Sequence, residues 1–358
     1  MLASHPLECH TDTPRHLFEN RIPPGEPPPW KGRCRYGRLM VTTGPRQHPP
    51  RLQAGQTVAV VAPSSGFLEP SVLERGLHVL RDLGLEPVIA PGVREIRGYL
   101  AGDDRRRAED LRWALESKEV DAVWCARGGY GAQRTVAALE ALEPGTARRL
   151  AGQKPKVLVG FSDVTVVHAL LAQAGWVSFY GPTVSVLGRA SEYTLQALER
   201  ALFKAEPFTV LPDPDDPWVS TLVPGRAEGE LAGGCLTLLA AIVGTPLQVD
   251  FAGKVAVFED VDEPAHAIDR SLSQLLAAGC FAGCRAIAIG DHTNVAARGG
   301  SSLGVEQIFA DLLGPLGLPC CFYLPVGHGA HQATLPLGAR AALDADAGVI
   351  ELLEPGVA

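Results

Sequence analysis

The sequence predicts an α/β protein in two parts, an N-terminal parallel sheet with flanking helices and a smaller C-terminal β-rich α/β domain. Three observations carry that prediction. From Thr57 onward, short β-branched runs alternate with patterns of helical period, the grammar of a parallel sheet with helical crossovers. Residues 206–225, with PFTVLPDPDDPW and VPG, then break the alternation with prolines that remove backbone donors. The chain closes on RAALDADAGVIEL, two strand-like runs about a turn, which brings antiparallel pairing into the second part.

Residues 1–52 are rich in Pro, His and Arg without sustained periodicity, so they read as a flexible tail, and Met40 is an alternative start. The first domain, 53–205, opens with the strand TVAVVAP. The helix SVLERGLHVLRDLGL follows, and its stripe of Leu73, Leu77, Leu80 and Leu83 is explained by core packing. Next come the strand PVIAPG, a charged helix through DLRWALESKE, and the strand DAVWCARGG. The strand KVLVGFSD runs into the helix VTVVHALLAQAG, then VSFYGPT, and the helix SEYTLQALERALFKAE ends the domain. With 206–225 as linker, the second domain spans 226–358 and holds the strand-like runs KVAVFED, RAIAIGD and CCFYLPVGHG. No internal repeat is present.

A length of 358 residues fits two domains, whose junction offers a cleft, and 46% hydrophobic with 20% charged residues supports sizeable cores. The formal charge of −8 argues against a nucleic-acid partner, which needs a concentrated positive face. Arg105, Arg106 and Arg107 alternate with acids in GDDRRRAED and read as a solvated helix face. The eight cysteines lack zinc-ligand spacing, and Cys280 and Cys284 read as buried thiols of a reducing compartment. No run of about eighteen apolar residues and no signal-peptide pattern occurs, so no membrane association and a cytoplasmic location are expected.

The chemistry-bearing residues sit at strand ends. Ser162 falls at a strand-to-helix turn where a hydroxyl projects above the sheet and helix-start amides face a developing oxyanion. The turn resembles the nucleophile elbow G-x-S-x-G, although Val164 stands where the second glycine belongs; the alternative is that Ser162 or Asp163 merely caps the helix. A nucleophilic serine needs a base, and the base an acid. Among ten histidines, His328 in PVGHGA follows an apolar run and is flanked by glycines. His168 reads as part of a helix face, His292 as a loop residue and His331 as a neighbour in no special setting. Glu259 ends the strand VAVFED, with Asp260, Asp262 and Glu263 as competitors for the acid role. The loop ARGGYGA suits close approach to a ligand, yet lacks the lysine of a P-loop and the dinucleotide spacing.

Taken in order, the strings VAVVAPSSG, GYLAGDDRRRAEDL, ARGGYGAQR, KPKVLVGFSDVT, YGPT, GGCLTLLAAIVGTP, VFEDVDEPAHAIDR and PVGHGAHQATLPLG resemble the LD-carboxypeptidase family of serine peptidases, which includes the microcin C immunity peptidases. The resemblance spans about Val58 to Leu352. It implies Ser162 as nucleophile, Glu259 as acid and His328 as base, meeting at the domain junction, often in a homodimer. It implies acyl transfer without metal or organic cofactor on a small peptide, a murein tetrapeptide cut before its terminal D-alanine. Asp163, Gly128 and Gly129 are then the backbone candidates for the oxyanion hole, and Arg127 for the substrate carboxylate. Two positions depart from the pattern: Cys235 replaces the amide of G-G-N-L, and EPAH stands for E-P-Y, with His266 at its end. These leave the triad intact and keep open a peptidase of peptidyl- or aminoacyl-nucleotide toxins, for which Trp176, Tyr180 and Trp218 are possible stacking groups. A ligand-binding protein on the same scaffold is the non-enzymatic alternative.

Overall fold

Strands form where the β-branched runs lie, and the computed structural model describes residues 46–215, 219–295 and 303–358 of the chain. The first five are β1 (Thr57–Val61), β2 (Glu86–Ile89), β3 (Ala122–Cys125), β4 (Val157–Gly160) and β5 (Ser178–Tyr180). They pair in parallel in the order β5-β4-β3-β1-β2. Every residue of β3 and β4 is buried, because helices cover both faces of a parallel sheet; that is why AVWC and VLVG are unbroken apolar runs.

The chain continues through β6 (Thr209–Val210), β7 (Ser220–Val223), β8 (Arg226–Cys235), β9 (Lys254–Val261), β10 (Ala286–Thr293), β11 (Cys320–Phe322), β12 (Leu335–Leu337), β13 (Arg340–Asp344) and β14 (Val349–Leu352). All but β12 make an eight-stranded mixed sheet, ordered β6-β14-β13-β8-β9-β10-β11-β7, in which β8 to β11 run parallel. Strand β12 leaves that sheet and pairs antiparallel with β5 at the edge of the first, Leu335 opposite Tyr180. The second part therefore completes the sheet of the first.

Alternation along β9 separates two cores. Val255 and Val257 face a junction core that also holds Phe161 and Tyr180 from the first sheet and Leu335 of β12. Ala256 and Phe258 face the opposite side, packed with the helices Ala265–Ala277 and Val305–Leu313. This is the period-two alternation of a strand buried on both sides.

Some expectations need correction. The expected tail includes residues 46–52, but these are docked. Arg46 pairs with Glu230, Gln47 bridges Trp176, Arg51 N–H donates to Ala358 O and Leu52 is buried. Residues 1–45 lie outside the described residues. The prolines of 206–225 did not exclude regular structure: β6 and β7 are short edge strands that fit between them, after Pro207 and before Pro224, with no proline inside either strand. Arg107 is not solvated. It is buried, with Nε donating to Thr135 Oγ1 at 2.8 Å, one terminal nitrogen to Gly102 O at 2.8 Å, and the other paired with Asp104. Its guanidinium pins the second helix of the first domain to the third. Cys280 and Cys284 are buried, as expected.

Candidate active site

Gly160 ends β4, Phe161 is extended, and Ser162 then takes φ 63°, a left-handed conformation uncommon for a side chain other than glycine. A 3-10 turn over Ser162–Val164 leads directly into the helix Thr165–Gln173. This sharp strand-to-helix turn is the geometry of a nucleophile elbow. His168, buried beneath it, spans Gly160 O at 2.9 Å and Ser178 Oγ at 2.8 Å. Burial pushes its pKa down to about 4, so it is a neutral structural histidine.

Glu259 lies near the end of β9 and is fully buried. Its Oε2 is 2.6 Å from His328 Nδ1. A carboxylate only accepts, so Nδ1 carries the proton and Nε2 is left as the basic nitrogen. Burial pulls the His328 pKa down, but the hydrogen bond and charge of Glu259, with Asp260 and Asp262, outweigh it, and the net direction is upward. The His328 ring packs 4.7 Å from that of Phe161, the residue preceding the serine. No hydrogen bond joins Ser162 Oγ directly to His328 among the described residues. His328 reaches the junction because its loop lies between β11 of one sheet and β12 of the other.

The glycines around these groups are spatial requirements. A Cβ on Gly128 would lie 2.9 Å from Ser162 Cβ and 3.1 Å from its Oγ, and one on Gly327 would lie 2.4 Å from Glu259 Oε2. Neither Gly128 nor Gly129 donates its N–H to any group among the described residues. The N–H of Ser162 itself is engaged, donating to Tyr180 Oη at 3.0 Å, while the Tyr180 hydroxyl donates to Glu259 Oε1 at 2.5 Å. Arg127 donates to Gly66 O at 3.2 Å and lines a cavity of about 310 Å³ with Ser65, Leu68, Ile96 and Tyr99.

The competing acids point elsewhere. Asp260 accepts from Thr237 N at 2.9 Å and Oγ1 at 2.8 Å, on the opposite face of β9, and Asp262 is bonded to Asn294 at 3.0 Å. Among the described residues, the His328 ring is bonded to Glu259 and not to Glu263. Cys235, replacing the expected amide, is buried with Sγ 3.5 Å from Asp260 Oδ1. His266 is exposed in the first turn of its helix. Trp176 and Tyr180 are fully buried and offer no free stacking face; Trp218 lies outside the described residues.

Sequence reasoning missed three features. Asp291 on β10 accepts from Gly329 N at 3.0 Å, and burial pushes its pKa up to about 7. His331 is held between Ser191 Oγ and Asp215 Oδ2, each at 2.8 Å, rather than standing in no special setting. Tyr180 joins the elbow to the acid. The only signal for it was its place in YGPT at a strand end.

The N-terminal domain model of the LD-carboxypeptidases matches residues 58–181, and their C-terminal domain model matches 228–343. A putative carboxypeptidase of Streptomyces coelicolor is 41% identical over 86% of this chain and 97% of its own. A probable murein peptide carboxypeptidase of Bacillus subtilis is 36% identical over 86% and 95%. A murein tetrapeptide carboxypeptidase of Pseudomonas aeruginosa is 33% identical over 80% and 92%. Among solved structures, muramoyltetrapeptide carboxypeptidase from Oxalobacter formigenes superposes with TM-score 0.69 at 30% identity, covering 83% of this chain and 98% of that one. MccF in complex with glutamyl sulfamoyl guanosine superposes with TM-score 0.77 at 20% identity, covering 87% and 99%, a likeness of fold.

Proposed function

The chain belongs to the LD-carboxypeptidase family of peptidases, and from that premise we propose that it is a serine carboxypeptidase releasing terminal D-alanine from murein tetrapeptides in cell-wall recycling. The observation that carries the reading is the pair of buried Glu259 and half-buried His328, whose imidazole packs against Phe161, the residue preceding the strained turn at Ser162.

In this mechanism the substrate carbonyl sits between Ser162 Oγ and the free N–H groups of Gly128 and Gly129, with the N–H of Asp163 as third donor. Ser162 Oγ attacks the carbonyl carbon as its proton passes to His328 Nε2, and Glu259 holds the resulting imidazolium. His328 returns the proton to the leaving nitrogen and D-alanine departs. Water, deprotonated by His328, then attacks the acyl-enzyme and frees both the shortened peptide and Ser162. Arg127 pairs with the terminal carboxylate. A nucleophile domain at 53–205 and a domain at 226–358 carrying acid and base belong to the same proposal, with the connecting segment 206–225 adding the edge strands β6 and β7 to the second sheet, as do a cytoplasmic location and a homodimer.

Incubation of a murein tetrapeptide with wild-type protein and with Ser162→Ala, followed by mass spectrometry, tests it. D-Alanine loss with wild type alone is expected. An intact tetrapeptide, with Ser162 still labelled by a fluorophosphonate, would overturn the substrate and turn attention to aminoacyl-nucleotide toxins.

A further inference from the structure

We infer that Tyr180 is a positioning residue of this site, its single hydroxyl holding the acid of one sheet and the serine turn of the other. The inference rests on the Ser162–Glu259–His328 reading and extends it.

Glu259 is fully buried, and a buried carboxylate is tolerated only when donors meet its oxygens. His328 supplies one at Oε2 and Tyr180 the other at Oε1. The same phenolic oxygen accepts the Ser162 N–H. Burial and the adjacent Glu259 charge keep the phenol protonated far into the alkaline range, so it remains a donor at any working pH. Its backbone is held on both sides, Tyr180 lying opposite Gly160 of β4 and Leu335 of β12. The hydroxyl therefore has a fixed place from which to set both partners.

Two consequences follow. Because Tyr180 takes the Ser162 amide, the oxyanion donors are left to Gly128, Gly129 and Asp163. Because it draws charge from Glu259, it moderates how strongly that carboxylate favours the protonated form of His328.

A tyrosine that only filled the core would act through its ring, so the tests remove the hydroxyl or change its donor strength while the ring is kept. Tyr180→Phe is expected to slow fluorophosphonate labelling of Ser162 by about 10- to 100-fold, the usual scale for losing such an outer partner. The acid limb of its pH–rate profile is expected to move to higher pH, since an undamped Glu259 raises His328 further. Site-specific 3-fluorotyrosine at 180 keeps ring and hydroxyl but donates more strongly, and should move that limb to lower pH. Wild-type rates and limbs in both variants would overturn the inference. If Tyr180→Phe fails to fold, the fluorotyrosine protein decides alone: a lower limb supports the role and an unmoved limb overturns it. Ser162→Ala is carried in parallel. Labelling that survives there sinks the triad itself, whereas its loss with unmoved Tyr180 variants sinks only this inference.

Discussion

Glu259 does two things that a neutral amide of the same size cannot do together: it accepts from Tyr180 and from the Nδ1–H of His328. In Glu259→Gln the side-chain NH2 can face Nδ1 and invert the tautomer, putting the proton on the nitrogen that, in the proposed mechanism, accepts one from serine. We expect kcat for D-alanine release to fall by about three to four orders of magnitude, with KM changed little; a loss below about tenfold would show that the acid does not govern the base. Gly128 offers a purely steric test. A methyl group there would press against the Ser162 side chain at 2.9 Å from Cβ and 3.1 Å from Oγ. Gly128→Ala is therefore expected to slow Ser162 labelling by about 100-fold while leaving the thermal midpoint close to wild type, readable by mass spectrometry and calorimetry. Labelling at the wild-type rate would mean that the loop yields and that Gly128 is no wall of the site.

Strand β9 explains why the acid was only partly legible. Its sequence KVAVFED places Val255, Val257 and Glu259 on one face and Ala256, Phe258 and Asp260 on the other, so parity alone separates the two acids. Both faces are apolar because both are buried, and nothing within the strand says which of them meets the serine. The strand-to-helix turn at Ser162 was legible because it is local. The buried Arg107 was misread because a charged run looks the same whether or not one member turns inward to Thr135 and Gly102. Strand β10 hid Asp291 in the same way, behind a register shift between Ile289 and His292 that no residue type announces. There the carboxyl stands against the Gly329 amide, and burial, with Glu259 nearby, raises its pKa to about 7. An unfolded aspartate titrates near about 4, so between those values the native chain holds a proton that the unfolded chain has lost. The contribution of Asp291 to stability thus falls as pH rises from about 4 to about 7. Asp291→Asn should raise the thermal midpoint at pH 8 and change it little at pH 4. Removing the charge should also lower the His328 pKa and move the acid limb of kcat/KM to lower pH. An equal midpoint shift at both pH values would exclude ionisation as the cause.

At the scale of the molecule, the two parts read from the sequence share a sheet edge and a core. Alternating strands and helices made the first sheet legible as far as β5, but an edge supplied from some 150 residues later in the chain leaves no local mark. Strand β12 is that edge: its three residues close the first sheet against β5 immediately after the histidine loop has left the second. The junction core is likewise shared, with Phe161 and Tyr180 from one side and Leu231, Val255, Val257 and Leu335 from the other. Separating the parts would expose that apolar surface and open β5 as an unpaired edge, both of which destabilise the separated states. The chain should therefore unfold in a single transition, with far-ultraviolet circular dichroism and tryptophan fluorescence giving one midpoint; two midpoints would show that the parts stand independently. Leu335→Ala sharpens the comparison, because this fully buried side chain belongs to the shared core and pairs directly opposite Tyr180. Its loss should cost about 2 to 5 kcal/mol. If the junction holds the site together, that cost appears as a lowered midpoint for the whole chain and as slower labelling of Ser162 at temperatures where the fold is intact. A midpoint lowered for one part only, with labelling unchanged, would confine β12 to trimming a sheet edge.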